Sequence, residues 1–308
     1  MKFLDGYPEV FTHLLQQQKL AEQGDPEHEN YAPVGVALSG TMRGVTFAYQ
    51  MSVLEHLQLV KLFKAFIGVS TGAPPIAYGL AEQCVLGRSV YLEECLTESF
   101  MRTPVSADSD YLSRVFRVGH KALNESAARR AKPDFFAAAT CAKTGNGILF
   151  NAKTIEPDMV QALHASIAIP GMTGPVAIGD SSYLDGVGAH PFPIQEAAAL
   201  NPTGLIIFAN APGQISDEEI TASKTAWTYL TRRLPAEVRE QYVSSAARFN
   251  EGLAWLKKES PCPWVILWCD PNISIFERDY GKLHGEAMRA EEQLLSLFSE
   301  AAELAKAA

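Results

Sequence analysis

Apolar residues along this chain gather into short unbroken runs that alternate with longer amphipathic stretches. The first run, Val34-Gly35-Val36-Ala37-Leu38, is β-rich and stops at Ser39-Gly40, a turn signal. Helical spacing follows over residues 45–59, with Phe47, Tyr49, Met51, Leu54 and Leu57 supplying much of the apolar content. Ala65-Phe66-Ile67-Gly68-Val69 predicts a second buried strand, and residues 74–81 the helix after it. Pro74 and Pro75 fall in its first turn, where a missing N–H costs nothing. Further strands are predicted over 135–141, 147–151, 204–210 and 264–269. Further helices are predicted over 157–166, 194–200, 226–258 with a break near Pro235, and 284–307. Strands alternating with helices predict an α/β fold around a mainly parallel sheet, with a helical C-terminal part over 226–308. Residues 1–32 read as an N-terminal lead-in with one short helix over 8–20, and 33–308 as a single domain. The polar, Ser- and Arg-rich stretch 101–133 reads as a helical insertion over the sheet edge.

Composition narrows the function classes. With 308 residues, 47% of them hydrophobic, the chain can bury a full sheet core without disulfide or metal support. A net charge of −9 and the lack of a long basic run argue against nucleic acid as a partner. They also leave any peripheral membrane contact to local apolar or basic features. Cys84, Cys95, Cys141, Cys262 and Cys269 form no C-x-x-C pair, and their odd number predicts free thiols in a reducing cytosol rather than a disulfide framework. No eighteen-residue apolar run and no secretory h-region are present, so the expectation is a cytoplasmic protein. Oligomeric state is not legible.

Candidate chemistry begins at Gly68-Val69-Ser70-Thr71-Gly72, which fits G-x-S-x-G. The string alone is weak, but a buried strand leads into it and a helical pattern leads out, as a nucleophile elbow requires. Ser70 is the candidate nucleophile, and the Thr71 amide, at a helix start, a candidate oxyanion donor. The competing reading is a close strand-to-helix turn at Gly68 and Gly72 with Ser70 as a helix cap. A serine hydroxyl needs a base. His13, His28 and His56 precede Ser70, which the α/β-hydrolase chain order forbids. His120, His164 and His284 sit in polar or helical surroundings that suit surface or capping roles.

A further set of motifs lies downstream: Ala165-Ser166-Ile167-Ala168-Ile169-Pro170-Gly171, then Tyr183-Leu184-Asp185-Gly186-Val187. Together with Ser39-Gly40-Thr41-Met42-Arg43-Gly44 and the Gly68–Gly72 elbow, in that order, they make the chain resemble the patatin-like phospholipase family over residues 34–210. The Arg248-Phe249-Asn250-Glu251 stretch resembles bacterial members. The resemblance implies a three-layer α/β/α fold and acyl-ester hydrolysis of a lipid without metal or organic cofactor. It implies a Ser70–Asp185 dyad and oxyanion donors in Gly40, Thr41, Met42 and Thr71. Arg43 then orients the loop, and Gly44, Gly68, Gly72 and Gly186 serve as elbow and turn glycines. An aspartate acting as base near neutral pH requires desolvation to raise its pKa.

The chain departs from the family pattern in places. Ser39 and Thr41 replace the first and third of the loop's usual glycines, Val187 replaces a second glycine after the Asp, and His190 stands where an Asn is usual. Glycine is favoured where a loop needs positive φ, so a weakened oxyanion hole is one expectation. Two alternatives stand beside the dyad. One is a histidine-dependent hydrolase using His190 or His284; the other is a non-catalytic lipid-binding member of the fold.

Overall fold

The computed structural model describes residues 3–103 and 106–307. Residues 1 and 2 of the expected lead-in, 104 and 105 of the expected insertion, and 308 lie outside the described residues. The strands are β1 (Leu4–Gly6), β2 (Val34–Ala37), β3 (Ala65–Val69), β4 (Met101–Thr103), β5 (Ser106–Ala107), β6 (Asp134–Cys141), β7 (Gly147–Asn151), β8 (Val176–Ile178), β9 (Ser181–Asp185), β10 (Leu205–Ala209) and β11 (Trp264–Trp268). The helices are α1 (Glu9–Glu22), α2 (Gly44–His56), α3 (Ala73–Leu80), α4 (Cys84–Ser89), α5 (Ser109–Arg117), α6 (Glu125–Arg130), α7 (Met159–Ser166), α8 (Ile194–Ala199), α9 (Asp217–Leu230), α10 (Ala236–Val243), α11 (Ser245–Glu259) and α12 (Tyr280–Ala307).

Nine strands make one sheet in the order β1-β11-β10-β2-β3-β6-β9-β8, with β7 also paired to β6. From β11 to β6 the neighbours are parallel. The central strands read as continuous apolar runs because both their faces are covered, as parallel sheets require. Their side chains alternate between two cores. Val34, Val36, Ile67, Ile207 and Ile266 face one, closed by Ile194 of α8 and by Phe249, Leu253 and Leu256 of α11. Phe66, Ile206, Phe208, Val265 and Leu267 face the other, closed by α1, α2, α3 and α12. The result is three layers, with α2 buried on nearly all sides between sheet and helices.

Three expectations change. The N-terminal segment is part of the sheet rather than a lead-in: β1 pairs antiparallel with β11, whose outer edge would otherwise be unpaired, and Phe11 of α1 stacks edge-on against Phe298 of α12 at 5.1 Å. The stretch 101–133 is not purely helical, since it opens with the β4–β5 ladder before α5 and α6. The helical span expected over 226–258 begins earlier and is three helices. Ser216 and Glu219 form a capping box that starts α9, and Pro235 separates α9 from α10. Among the described residues no helix is long and apolar enough to cross a membrane.

Candidate active site

The register of β6 explains how two residues distant in sequence meet. Strand β3 pairs with β6 over Asp134 to Ala138, ending at Val69↔Ala138; β9 pairs with β6 over Ala139 to Cys141, ending at Asp185↔Ala139. Strand β7 pairs with Phe136 to Thr140 and so overlaps both partners. It therefore occupies the opposite edge of β6, and β3 and β9 share one edge. They approach from opposite directions because β3 is parallel and β9 antiparallel to β6. Ser70, the first residue after β3, thus faces Asp185, the last residue of β9. The Ser70 hydroxyl donates to Asp185 Oδ2 at 2.6 Å. Among the described residues no imidazole stands between them.

Local backbone chemistry holds each partner. Ser70 adopts φ 53°, the left-handed region that the tight turn imposes and that costs a non-glycine residue roughly 1–2 kcal/mol. Gly68 lies inside β3, Gly72 ends the turn before α3, and Gly44 opens α2. A Cβ on Gly186 would stand 2.4 Å from the Ala138 carbonyl oxygen, so the chain passes β6 only with glycine there. The segment after α7 ties the two sides together. Ser166 Oγ accepts the Ser70 amide at 3.0 Å, the Ser166 carbonyl accepts the Gly186 amide at 3.3 Å, and the Ala168 carbonyl accepts the Asp185 amide at 2.8 Å. Ser166 lies inside the Ala165–Pro170 motif, but the motif does not show that its hydroxyl accepts the Ser70 amide.

Asp185 is completely buried, and desolvation pushes its carboxyl up from 3.8 to about 7. The hydrogen bonds from the Ser70 hydroxyl and the Val187 amide (to Oδ1, 2.8 Å) pull the other way and do not cancel it. A buried carboxylate beside a serine hydroxyl, at the C-terminal ends of parallel strands, is suited to take that hydroxyl's proton near neutral pH.

The family profile of patatin-like phospholipases matches residues 38–198, just over half of the chain. The chain belongs to the patatin-like phospholipase family. No curated protein matches it in sequence. Among solved structures, that of VipD from Legionella pneumophila is similar at 10% identity and a TM-score of 0.41, covering 88% of this chain and 67% of that one.

In this patatin-like chain the loop after β2 is shaped by a segment far beyond the profile match. The Met42 amide, expected among the oxyanion donors, donates instead to the Ile275 carbonyl at 3.0 Å. That expectation is corrected: the bond leaves the amides of Gly40, Thr41 and Thr71 as the candidate donors. Arg43 donates from Nε to the Ile273 carbonyl at 2.6 Å, and its own amide donates to the Gly40 carbonyl at 3.0 Å. Thr41, standing where patatin-like proteins usually have glycine, has φ 50°, a position a β-branched residue reaches only under strain. Thr41→Gly is therefore expected to raise stability by about 1 kcal/mol, read as a higher melting temperature. An unchanged or lower value would contradict the strain.

His164, His190 and His284 make their contacts away from Ser70 and Asp185. His190 Nδ1 lies 2.9 Å from Glu196 Oε1, while its Nε2 is buried against Gly147 with no hydrogen-bond partner among the described residues. His284 stacks on Tyr280 at the start of α12, and His164 contacts Ser109 Oγ at 3.0 Å.

Two cavities flank Ser70 and Asp185, and Thr41 and Ile169 line both. The one reached from Ser70 is narrow, about 40 Å³, and almost wholly apolar, with Tyr78, Tyr91, Phe100, Leu112 and Phe116 in its wall. The one reached from Asp185 is wider, about 220 Å³, and carries Ser39, Arg43, Ser223, Trp227 and Ser245. The five cysteines are unpaired.

Proposed function

We propose that this patatin-like protein is a serine acyl hydrolase acting on lipid esters through a Ser70–Asp185 dyad. The single observation that carries the reading is the direct 2.6 Å hydrogen bond from the Ser70 hydroxyl to a fully buried Asp185 carboxylate. Asp185 takes the Ser70 proton as Oγ attacks the ester carbonyl carbon. The tetrahedral oxyanion is held by amides of the Gly40-Thr41 loop and of Thr71. Collapse breaks the C–O bond, and the departing alkoxide takes the proton from Asp185. Water then attacks acyl-Ser70 while Asp185 accepts one of its protons. The acid leaves and Ser70 recovers its hydrogen. Each step uses only groups of the chain and water.

The cavities support a division of the substrate. The apolar one suits the acyl chain, and the polar one suits the alcohol portion, with Arg43 and hydroxyl side chains on its wall. The test is hydrolysis of a p-nitrophenyl ester series and of lysophosphatidylcholine. Turnover of both supports the reading; no turnover of any acyl ester by folded protein would refute it. Because Phe116 closes part of the apolar cavity, Phe116→Ala is expected to shift the preferred acyl length upward by two or more carbons, about 2 Å of added depth or more. An unchanged preference, measured as kcat/KM along the series, would show that the chain lies elsewhere.

A further inference from the structure

Strand pairing ends at Asp185, so the sheet ladder does not fix the backbone beyond it. Two buried hydroxyls do. Tyr242 of α10 donates to the Asp185 backbone carbonyl at 2.7 Å, and Thr140 of β6 donates to the same oxygen at 2.8 Å. Thr140 Oγ1 also accepts the Ala189 amide at 3.0 Å. Arg248 of α11 donates to the carbonyls of Gly188, of Ala189 at 3.0 Å and of Gln241 at 2.6 Å. Carbonyls 185, 188 and 189 are thus capped largely by α10 and α11, helices that lie outside the matched residues 38–198. The local sequence is fitted to this contact. A Cβ on Gly188 would come within 2.6 Å of the Tyr242 ring and 2.9 Å of Thr140 Oγ1. Tyr242 is itself fully buried, and its ring lies 5.0 Å from that of Trp227, which lines the polar cavity beside Asp185.

We propose that Tyr242, acting with Thr140 and Arg248, is a positioning residue that holds the Asp185 carboxylate in line with the Ser70 hydroxyl. The inference rests on the dyad reading above. Rotation of the 185–186 peptide would swing the carboxylate, and misplacement by about 1 Å can cost on the order of a hundredfold in rate. The two hydroxyls on one carbonyl oppose that rotation.

Tyr242→Phe keeps the ring and its contact with Trp227 and removes only the hydroxyl; Thr140→Val removes the other donor and, with it, the acceptor of the Ala189 amide. Each is expected to lower kcat on p-nitrophenyl butyrate about tenfold, with KM unchanged and the melting temperature within a few degrees of wild type. Carbon-13 NMR of the Asp185 carboxyl should show its titration midpoint displaced by about half a pH unit or more in either variant. Wild-type kcat and midpoint in both variants would overturn the proposal. So would a loss of activity that merely tracks a lower melting temperature while the midpoint stays put. If wild-type protein proves inactive, the dyad reading fails separately, and the carboxyl titration still decides whether Tyr242 positions Asp185. Should Tyr242→Phe fail to fold, Thr140→Val carries the same test.

Discussion

Asp185→Asn is expected to lower kcat on a p-nitrophenyl ester by about 10²- to 10⁴-fold, with KM changed by no more than a few-fold. The substitution is isosteric, and its oxygen can keep the Val187 amide at the Oδ1 position. What it removes is the acceptor for the Ser70 proton at Oδ2. The same group sets the pH dependence. With its carboxyl at about 7, Asp185 is half ionised at that pH and mostly ionised above it, so wild-type kcat/KM should rise with pH through about 7 and level off beyond it.

The stability of Asp185→Asn should move in the opposite sense. The folded carboxyl titrates near 7 and the unfolded one near 3.8, so between those values the folded chain holds a proton that the unfolded chain has released. Stability contributed by the neutral carboxyl is complete below the lower value, falls as pH rises across the window and is lost above the upper one. Burying the charge therefore costs wild type on the order of 4 kcal/mol at pH 8. The Asn variant should melt higher than wild type at pH 8, and the gap should close as pH falls toward 4. A variant that is inactive yet no more stable at pH 8 would mean that the carboxylate is solvated in the native protein.

Ser70→Ala should have the larger effect on turnover, a loss of about 10⁴-fold or more, because it removes the hydroxyl on which the proposed acyl intermediate forms. Thr71 Oγ1 is buried without a hydrogen-bond partner among the described residues and has no carboxylate to activate it. Binding should survive, since every residue lining the apolar cavity other than Ser70 itself is left in place. Alanine at φ 53° also keeps the turn's strain, so the melting temperature should change little. Full turnover by Ser70→Ala would move the chemistry to another group.

Legibility from sequence followed the range of the interactions involved. Strands β3 and β7 were readable to the residue, because a buried parallel or paired strand is a local apolar run bounded by turn residues. The elbow at Ser70 and the Asp185-Gly186 turn were readable as motifs, each demanding glycine for close passage of backbone. Edge strand β1 was not, since three residues of mixed polarity become a strand only by pairing with β11. The engagement of the Met42 amide by Ile275 was equally hidden: a backbone bond between residues more than two hundred positions apart leaves no local pattern. Tyr242 gave no signal either, lying in a helix whose sequence reads as polar and whose single buried hydroxyl matters only once β9 ends beside it. Ser166 is the intermediate case, visible within a motif but without a role until its side chain is seen to accept the Ser70 amide.

The most direct measurement is labelling with a fluorophosphonate followed by peptide mapping, on wild type and on Asp185→Asn at pH 8. A single adduct on the peptide carrying Ser70, formed about a hundredfold or more slowly in the Asn variant, is the result predicted by a serine activated directly by a buried carboxylate. Labelling at a different residue, or equal rates in the two proteins, would contradict it.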